Sequence, residues 1–457
     1  MNEQPPLFPS LPEPKTALGE ERERVGKPRV LEPVRNQFEL RPVDLDGTLG
    51  PEHPARSVWA FVDSLDLSRL YDAIDAVHGG SGRPAIDPRI LVSLWLYATI
   101  DGVGSARALA RLCTSHDAYR WICGGVSVNH HTLSDFRVGE VTFLDELLGR
   151  GVAVLMHQGL VELNRVAQDG MRVRASAGAA SFRRRSTLER CVREARTQVE
   201  RLREELAEDP GARMRREQAA RERAAAEREQ RLDKALEELE RLERTRKPKP
   251  RKPNEGEEAH AKRTETRASS TDPEARVMKM ADGGFRPAYN VQFCTDTESQ
   301  VIVGVAVTNT GSDMGQLTPM LEQLESRYGK LPGEALVDGG YAAKGCIETA
   351  HERDVQVYAP VPKPKDPERD PHLPRPGDSE ALAAWRTRMG SAGAKEIYAE
   401  RAATAECVNA IARQRGLQRF TVRGEHKVRA VSLWYALAHN LMRALALGVP
   451  KAVPITS

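Results

Sequence analysis

The chain lacks the features that mark secreted, membrane-embedded and disulfide-stabilised proteins. Its 457 residues include only six cysteines, and none of them form a Cys-x-x-Cys pair, which favours reduced thiols in a cytoplasm over a disulfide framework. No run of roughly 18 apolar residues occurs, so we expect no membrane span. The first residues do not have the charged and then apolar pattern of a signal peptide. We therefore expect a cytoplasmic protein that has no contact with membranes.

A strong overall charge is also missing. The chain has 68 lysines and arginines against 65 aspartates and glutamates, a net charge of +3, which alone does not indicate a nucleic-acid partner. Basic residues are instead clustered in short segments, and such clusters are the feature that indicates DNA or RNA binding. Hydrophobic residues make up 40% of the chain and charged residues 29%. A chain of this length and composition can form about two or three domains with their own cores.

Three acidic residues stand in three different local contexts. Asp169 lies in a short β-like run, Asp338 ends an apolar run and is followed by two glycines, and Glu406 lies in a helix-like stretch. Two carboxylates at strand ends and one on a helix can converge on a pair of divalent metal ions, which stabilise the attacking and leaving oxygens of a phosphodiester. Mg²⁺ suits such a site because it takes few carboxylates and keeps several waters.

Each acid taken singly also has an ordinary explanation. Asp169 and Asp338 both precede glycine, and Asp-Gly is common in turns. Glu406 can be a carboxylate on a helix surface, as can the nearby Glu400. The order of the three acids, together with the residues that flank them, favours the metal site over these alternatives.

These flanking residues give the chain its resemblance to a known family. It resembles a DDE transposase of bacterial insertion sequences from about residue 40 to 447, with a helical segment interrupting the likeness. The resemblance is carried by Gln168-Asp169-Gly170, Val337-Asp338-Gly339-Gly340-Tyr341, the series Tyr398, Arg401, Glu406 and Arg413, the stretch from Arg415 to Gly424, and His439-Asn440-Leu441. Gly339 stands where the family often has alanine, and Ala405 where it often has valine. Both changes keep the neighbouring acid.

The resemblance implies a fold, a chemistry and a set of partners. It implies an α/β protein with an RNase H-like catalytic core and a mixed β-sheet, in which Asp169, Asp338 and Glu406 are catalytic and bind Mg²⁺ or Mn²⁺, with two ions. It implies DNA partners, namely transposon ends and a target, and a homodimer that acts on DNA at the nucleoid. Tyr398, Arg401 and Arg413 are expected to contact DNA; Arg413 follows Glu406 by seven residues, which puts both on one helix face.

The resemblance implies roles for parts of the chain whose boundaries follow from composition and periodicity. We expect a flexible arm at 1–40, a helix-turn-helix-like DNA-binding domain at 41–162, a catalytic core at 163–182 and 269–447, an inserted helical hairpin at 184–246 and a basic flexible linker at 247–268. For the region 41–162, a helical packing domain without DNA contact is an equally open interpretation.

The hairpin is predicted from heptad spacing. Apolar residues three and four apart recur in two segments, at Leu188, Val192, Ala195, Val199, Leu202 and Leu206 and again at Leu232, Ala235, Leu239 and Leu242. Asp209-Pro210-Gly211 separates the two segments. The hairpin can serve as a dimer contact, as a brace on DNA, or as a solvated helix pair without a partner.

The hairpin is followed by a basic, proline-rich run. Its cations Lys247, Lys249, Arg251 and Lys252 are predicted to contact DNA phosphates, because clustered cations release counterions from DNA. A plain flexible linker is the alternative interpretation of this run.

A zinc site is a competing hypothesis for the helical region. Cys113, His116, Cys123 and either His130 or His131 provide suitable ligand types. Structural zinc sites usually pair their ligands tightly at both ends, and the second half of this set is loosely spaced. Buried cysteines and histidines in polar loops are therefore the favoured interpretation.

The sequence thus favours a transposase that cleaves DNA and transfers strands at terminal inverted repeats. A stand-alone metal-dependent nuclease is one alternative, although a nuclease would not need an end-recognition region. A degenerate, non-catalytic DNA-binding protein is the other, although all three acids are intact. Terminal inverted repeats flanking the gene would distinguish the first hypothesis from the others.

Overall fold

The computed structural model describes residues 44–76, 84–208, 212–246, 250–364, 366 and 368–448. The described residues lie in a compact unit that begins at Asp44. The predicted arm at 1–40, the Asp209-Pro210-Gly211 break, and Lys247 and Lys249 of the basic run lie outside them. No helix within these ranges is both long and apolar enough to cross a membrane.

The first part of the described chain is helical, as its sequence predicts. Its helices are α1 (Pro54–Asp63), α2 (Ser68–Asp72), α3 (Pro88–Ile100), α4 (Ala106–Ser115), α5 (Asp117–Cys123), α6 (His130–Gly139) and α7 (Val141–His157). Asp87 caps α3 by accepting a hydrogen bond from the Arg89 amide at 2.8 Å, and Pro88 takes the first helical position, where a missing N–H costs nothing. α3 is buried on almost all sides, so it is the central helix of this region.

The middle of the chain forms a mixed β-sheet. Its strands are β1 (Arg165–Arg174), β4 (Arg276–Lys279), β5 (Phe285–Asp296), β6 (Ile302–Thr308), β7 (Glu334–Leu336) and β8 (Gln356–Tyr358), while β2 (Phe182–Arg183) and β3 (Ala268–Ser269) form a separate two-stranded ladder. β5 pairs with β4 and β6 along one edge and with β1 along the other, and the order continues through β7 to β8. A mixed α/β architecture behind a helical N-terminal region is therefore confirmed.

Strand direction follows from the connections. β5 runs antiparallel to β1, β4 and β6, whereas β7 runs parallel to both of its neighbours, β1 and β8. Parallel neighbours need crossover segments, and these are α11 (Leu317–Tyr328) and α12 (Lys344–Glu352). β1 thus lies in the middle of the sheet, between an antiparallel and a parallel neighbour.

Two long helices occupy the segment predicted as a hairpin. α8 (Arg185–Glu208) and α9 (Ala212–Thr245) run antiparallel, because Arg185 pairs with Glu243 at 2.7 Å near one end and Arg203 with Glu222 at 3.1 Å near the other. The apolar contact between them buries heptad residues, namely Leu188, Val192, Ala195, Leu232, Ala235 and Leu239. Both helices extend from the β2–β3 ladder, which lies between β1 and β4 in the chain.

Part of the segment 247–268, for which composition predicts a basic flexible linker, is helical. It contains α10 (Glu257–Thr264). Acidic residues in its first turn and basic residues in its last turn match the helix macrodipole. Glu255, two residues before the helix, accepts a hydrogen bond from Arg263 at 2.6 Å, which connects the last turn to the chain in front of the helix. The placement of these charges within the segment stabilises the helix.

The C-terminal part joins the helical region to the sheet. It contains α13 (Glu380–Gly390), α14 (Ala392–Arg401), α15 (Cys407–Gln414) and α16 (Glu425–Ala446). α16 packs against α3, α6, α7 and β6, so residues of all these elements share a hydrophobic core. Asn440 exchanges two hydrogen bonds of 2.8 Å with the backbone of Ile302, and burial lowers the pKa of His439 to about 4. The helical region and the sheet are thus packed as one body.

Candidate functional site

Asp169 and Asp338 occupy equivalent positions on neighbouring parallel strands. β1 pairs with β7 from Arg165 opposite Glu334 to Ala167 opposite Leu336. Two residues further along, the chain reaches Asp169 within β1 and Asp338 two residues after the end of β7. Neighbouring strands are about 4.8 Å apart, so the two carboxylates start from adjacent backbone positions, and their charges interact.

The sequence predicts Asp169 at the end of a strand. In the structure it lies in the middle of β1 instead. The strand continues through the Asp-Gly pair because β5 pairs with it on both sides of Asp169. Asp338 does follow the end of its strand. Its Oδ1 accepts a hydrogen bond of 2.7 Å from the Gly340 amide, which caps the single helical turn Gly339–Tyr341.

Two side chains hold the carboxylate of Asp169. The Arg401 guanidinium donates to Oδ1 at 3.2 Å, and the Asn409 amide donates to Oδ2 at 2.9 Å. Burial raises the pKa of Asp169, the positive charge of Arg401 opposes the rise, and the carboxylate of Asp338 adds to it. The direction of this shift means that Asp169 is surrounded by more low-dielectric protein and negative charge than its two donors offset.

A π-helical turn brings Glu406 to the same place. The turn Ala402–Glu406 lies between α14 and α15. In an α-helix residues five apart point about 140° away from each other, whereas a π turn brings them to the same side. Arg401 therefore reaches Glu406 at 2.9 Å while it also binds Asp169. The side chain of Arg401 is only 11% exposed, and its guanidinium lies between the two carboxylates.

A buried polar network lies on the opposite face of β1. Asp313 accepts hydrogen bonds from Asn290 at 2.6 Å and from Gln292 at 2.8 Å, and Arg172 binds its second oxygen at 3.2 Å. Tyr341 donates a short hydrogen bond to Gln292, so the network extends to the turn that follows Asp338. The amides of Asn290 and Gln292 and the hydroxyl of Tyr341 therefore connect the backbone near Asp169 with the backbone near Asp338.

Gly170 makes this arrangement possible. A Cβ atom at this position would lie 2.5 Å from Nε2 of Gln292 and 2.8 Å from Oδ1 of Asn290, and it would collide with Asp313. Glycine therefore follows Asp169 because the polar network fills the space that a side chain would take. An open turn, the alternative explanation of the Asp-Gly pair, does not occur here.

Sequence reasoning missed Asn409, Asp313 and the amides on β5. Asn409 follows Glu406 by three residues, a spacing that puts both on one helix face. Asn290 and Gln292 alternate with apolar residues in the part of β5 that is buried on both faces. Buried amides at alternate positions of a central strand are a signal of a polar network, and this signal was present in the sequence.

The residues predicted to contact DNA have different environments. Arg401 is held between the carboxylates of Asp169 and Glu406. Tyr398 is half-buried beside the site, and burial raises its pKa with the nearby acids adding to the rise. Arg413 is exposed on α15, and Lys252 is exposed as well. Arg251, also exposed, donates to the backbone carbonyl of Glu255 and forms a long ion pair of 3.8 Å with Glu257.

The donor set suits a hard divalent cation. Carboxylate oxygens are the ligands that Mg²⁺ and Mn²⁺ prefer, and the buried Oδ1 of Asn409 has no hydrogen-bond partner within the described ranges. A cationic guanidinium already lies between two of the acids. No group of three or more histidine, cysteine or acidic side chains in the described ranges is arranged as a ready metal site. The chemistry of the residues fits a metal, while Arg401 takes part of the space between them.

The competing zinc hypothesis is not supported, because the described residues include no group of three or more such ligands arranged to hold a metal. Cys113 and Cys123 are both buried, and the neighbouring Cys123 thiol together with burial raises the pKa of Cys113. His116 caps α5 by accepting from the Ala118 amide at 3.3 Å, while His130 and His131 stack on each other with ring centroids 4.1 Å apart. These side chains have structural partners in the helical region.

Comparison with known families assigns two parts of the chain. Residues 43–139 match the family described as Transposase domain (DUF772), and residues 259–441 match the family described as Transposase DDE domain. The second match includes Asp338 and Glu406, whereas Asp169 lies before it. No curated protein and no solved structure matches the chain.

Proposed function

The chain is an insertion-sequence DDE transposase, and from this premise we propose that it cleaves DNA and transfers strands at the terminal inverted repeats of its own element. Asp169, Asp338 and Glu406 are the proposed catalytic carboxylates. The equal register of the two aspartates on adjacent parallel strands, with Glu406 joined to Asp169 through Arg401, is the observation that supports this assignment most directly.

The same three acids are the proposed ligands of Mg²⁺ or Mn²⁺, with two ions. Bound metal would neutralise phosphate charge and lower the pKa of a water or sugar hydroxyl. Arg401 and Asn409 hold the carboxylate of Asp169 in one orientation, which reduces the conformational freedom that is given up when DNA binds. Arg401 is therefore proposed to organise the acids, while Tyr398 and Arg413 contact the DNA strand.

We also propose that the sheet is an RNase H-like core. Three antiparallel strands followed by alternating helices and parallel strands support this assignment. The helical region at 41–162 is the proposed reader of the transposon ends, and the enzyme is proposed to act as a homodimer at the bacterial nucleoid. The 43–139 family match supports a transposase-specific role for this region.

A cleavage and joining assay tests the function. Purified protein is incubated with a duplex that carries one terminal repeat of the element, with Mg²⁺, Mn²⁺ or EDTA. We expect metal-dependent nicking at the repeat end and joining of that end to a second duplex. Nicking without joining would support a stand-alone nuclease instead, and binding without nicking would support a degenerate DNA-binding protein.

The basic run after α9 is predicted to add affinity for DNA of any sequence. Replacing Arg246, Lys247, Lys249, Arg251 and Lys252 with serine should flatten the dependence of log K on log salt by about 0.9 for each phosphate that the protein no longer neutralises. Affinity should fall equally for end-containing and unrelated duplexes, because phosphate contacts do not specify sequence. A titration over a range of salt concentrations measures this; an unchanged slope would mean that the run is only a linker.

A further inference from the structure

Five arginines line a cavity between the helical hairpin and the core. The cavity has a volume of about 470 Å³. Arg183 comes from β2, Arg190 from α8, Arg228 and Arg231 from α9, and Arg423 from the loop before α16. They come from three separate stretches of the sequence, so only the folded arrangement of hairpin, ladder and loop brings all five charges together.

The positive charge of this cavity is only partly balanced. Arg190 and Arg231 form long ion pairs of 3.7 Å and 3.8 Å with glutamates of their own helices. None of the ion pairs among the described residues involves Arg183, Arg228 or Arg423, although Arg228 donates a hydrogen bond of 3.0 Å to the amide oxygen of Gln198. Burial lowers the pKa of Arg231, and the neighbouring charges of Arg423 and Arg228 lower it further. Five like charges with only two long ion pairs make the cavity electropositive, and such a cavity attracts anions.

The helix α9, which carries Arg228 and Arg231, is joined to the core by two ion pairs near the cavity. Lys234 of α9 binds Glu274 at 2.9 Å, and Arg276 forms an ion pair with Glu238 of the same helix. These contacts fix the base of the hairpin.

The segment 272–274 of the core fixes the loop that carries Arg423. Asp272 accepts a hydrogen bond from the Gly424 amide at 3.1 Å, and Glu274 accepts one from the Glu425 amide at 2.7 Å. Gly424 has a positive φ of 85°, a conformation that glycine adopts without strain. The loop and the hairpin are thus anchored by neighbouring acids of the segment 272–274, which places Arg423 opposite Arg231.

We propose that this cavity grips the phosphodiester backbone of duplex DNA at a distance from the site of cleavage. The proposal rests on the proposed function, because it takes the ligand to be the DNA that the carboxylates cut. Arginine forks bind phosphate oxygens through paired N–H groups. From Asp169 the chain follows β1 to Arg174, about 17 Å at 3.3 Å per residue, and then reaches Arg183 of the cavity in β2. A duplex bound at both sites would contact them through phosphates several nucleotides apart.

The test compares two triple variants of the full-length protein. Arg228→Gln, Arg231→Gln and Arg423→Gln are combined in one, and the control combines Arg193→Gln, Arg223→Gln and Arg244→Gln, which are exposed on the same two helices but do not line the cavity. Binding of an end-containing duplex is measured in EDTA over a range of salt concentrations. The cavity variant should lose about 2 to 3 units of the log–log salt slope, at about 0.9 per phosphate, and the control should keep the wild-type slope.

Further measurements make each outcome decisive. Circular dichroism establishes folding, and the single variant Arg423→Gln, which changes only a loop residue, should lose about one unit of slope if the triple variant does not fold. A wild-type slope in a folded cavity variant overturns the proposal, as does a slope loss of equal size in the control. If inorganic phosphate raises the melting temperature of the wild type but not of the cavity variant, while the DNA slope is unchanged, the cavity binds free anions and not DNA.

The proposed function can fail separately. Because binding is measured without metal, a protein that binds DNA through the cavity but does not nick it would contradict catalysis and leave the DNA grip intact. A protein that nicks normally with an unchanged slope in the cavity variant would contradict the grip alone.

Discussion

Asp169→Asn and Asp338→Asn should each lower metal-dependent nicking of an end-containing duplex by about a thousandfold. Loss of a carboxylate that holds a catalytic metal removes several kcal/mol of charge stabilisation, and about 1.4 kcal/mol corresponds to a factor of ten in rate. Single-turnover nicking at saturating protein measures the effect, and DNA binding should be almost unchanged. Glu406→Gln should have a similar effect. Wild-type nicking by Asp338→Asn would eliminate the proposed mechanism.

Asp169→Asn should not unfold the protein. A carboxyl group whose pKa is raised in the folded state binds its proton more tightly there than in the unfolded chain. Its ionisation therefore costs stability as pH rises from the unfolded value of 3.8 through the raised folded value. Asparagine copies the protonated form, so Asp169→Asn should melt at or above the wild-type temperature at neutral pH. A large drop in melting temperature would mean that Asp169 is a structural residue.

Glu400→Gln is the matched control for these variants. Glu400 lies on α14 close to the site and forms an ion pair with Arg165 at 2.7 Å, but it does not belong to the proposed catalytic set. With its side chain 46% exposed, the pair should contribute little to stability. Nicking by Glu400→Gln should therefore remain within a few-fold of wild type. If nicking by Glu400→Gln fell as far as nicking by Asp338→Asn, any carboxylate near the site would be equally important, and the assignment of three specific catalytic acids would be wrong.

Much of the candidate site could be predicted because it depends on short motifs. The resemblance to a DDE transposase is confirmed by the two family matches, and it came from residues adjacent to each acid. Helices of the N-terminal region and the strands after 285 follow from apolar periodicity and turn residues, which are local properties. The structure has a mixed α/β fold with a helical N-terminal region, as the sequence indicates.

The remaining features depend on contacts between distant segments. The midstrand position of Asp169 results from pairing with β5 across the whole of β1, which a local Asp-Gly signal cannot show. The π-helical turn before Glu406 changes which residues share a helix face, and no residue type marks such a turn. The five-arginine cavity joins residues from 183 to 423, so it could not be found by a search for basic runs.

Gly170→Ala should be the most destabilising small substitution at the site. The added methyl group would collide with Asp313 and come within 2.8 Å of Asn290, and both are buried and hydrogen-bonded to their neighbours. Overpacking a buried position typically costs about 1–3 kcal/mol, and separating hydrogen-bonded groups there adds about 1–3 kcal/mol for each one left unpaired. We expect a clearly lower midpoint of denaturant unfolding and nicking reduced at least tenfold at temperatures where the variant is still folded.

Gly151→Ala provides the comparison, because it adds the same methyl group in the middle of α7 with no atom within 4 Å of the new Cβ. Alanine is the better helix former by about 1 kcal/mol, so this variant should be as stable as wild type or more so. A similar midpoint for both glycine variants would mean that the network can rearrange around a side chain at residue 170. The difference between them measures how strongly the amides of β5 fix the backbone beside Asp169. If Gly170→Ala unfolds early but nicks normally while folded, the network stabilises the sheet without orienting the carboxylate.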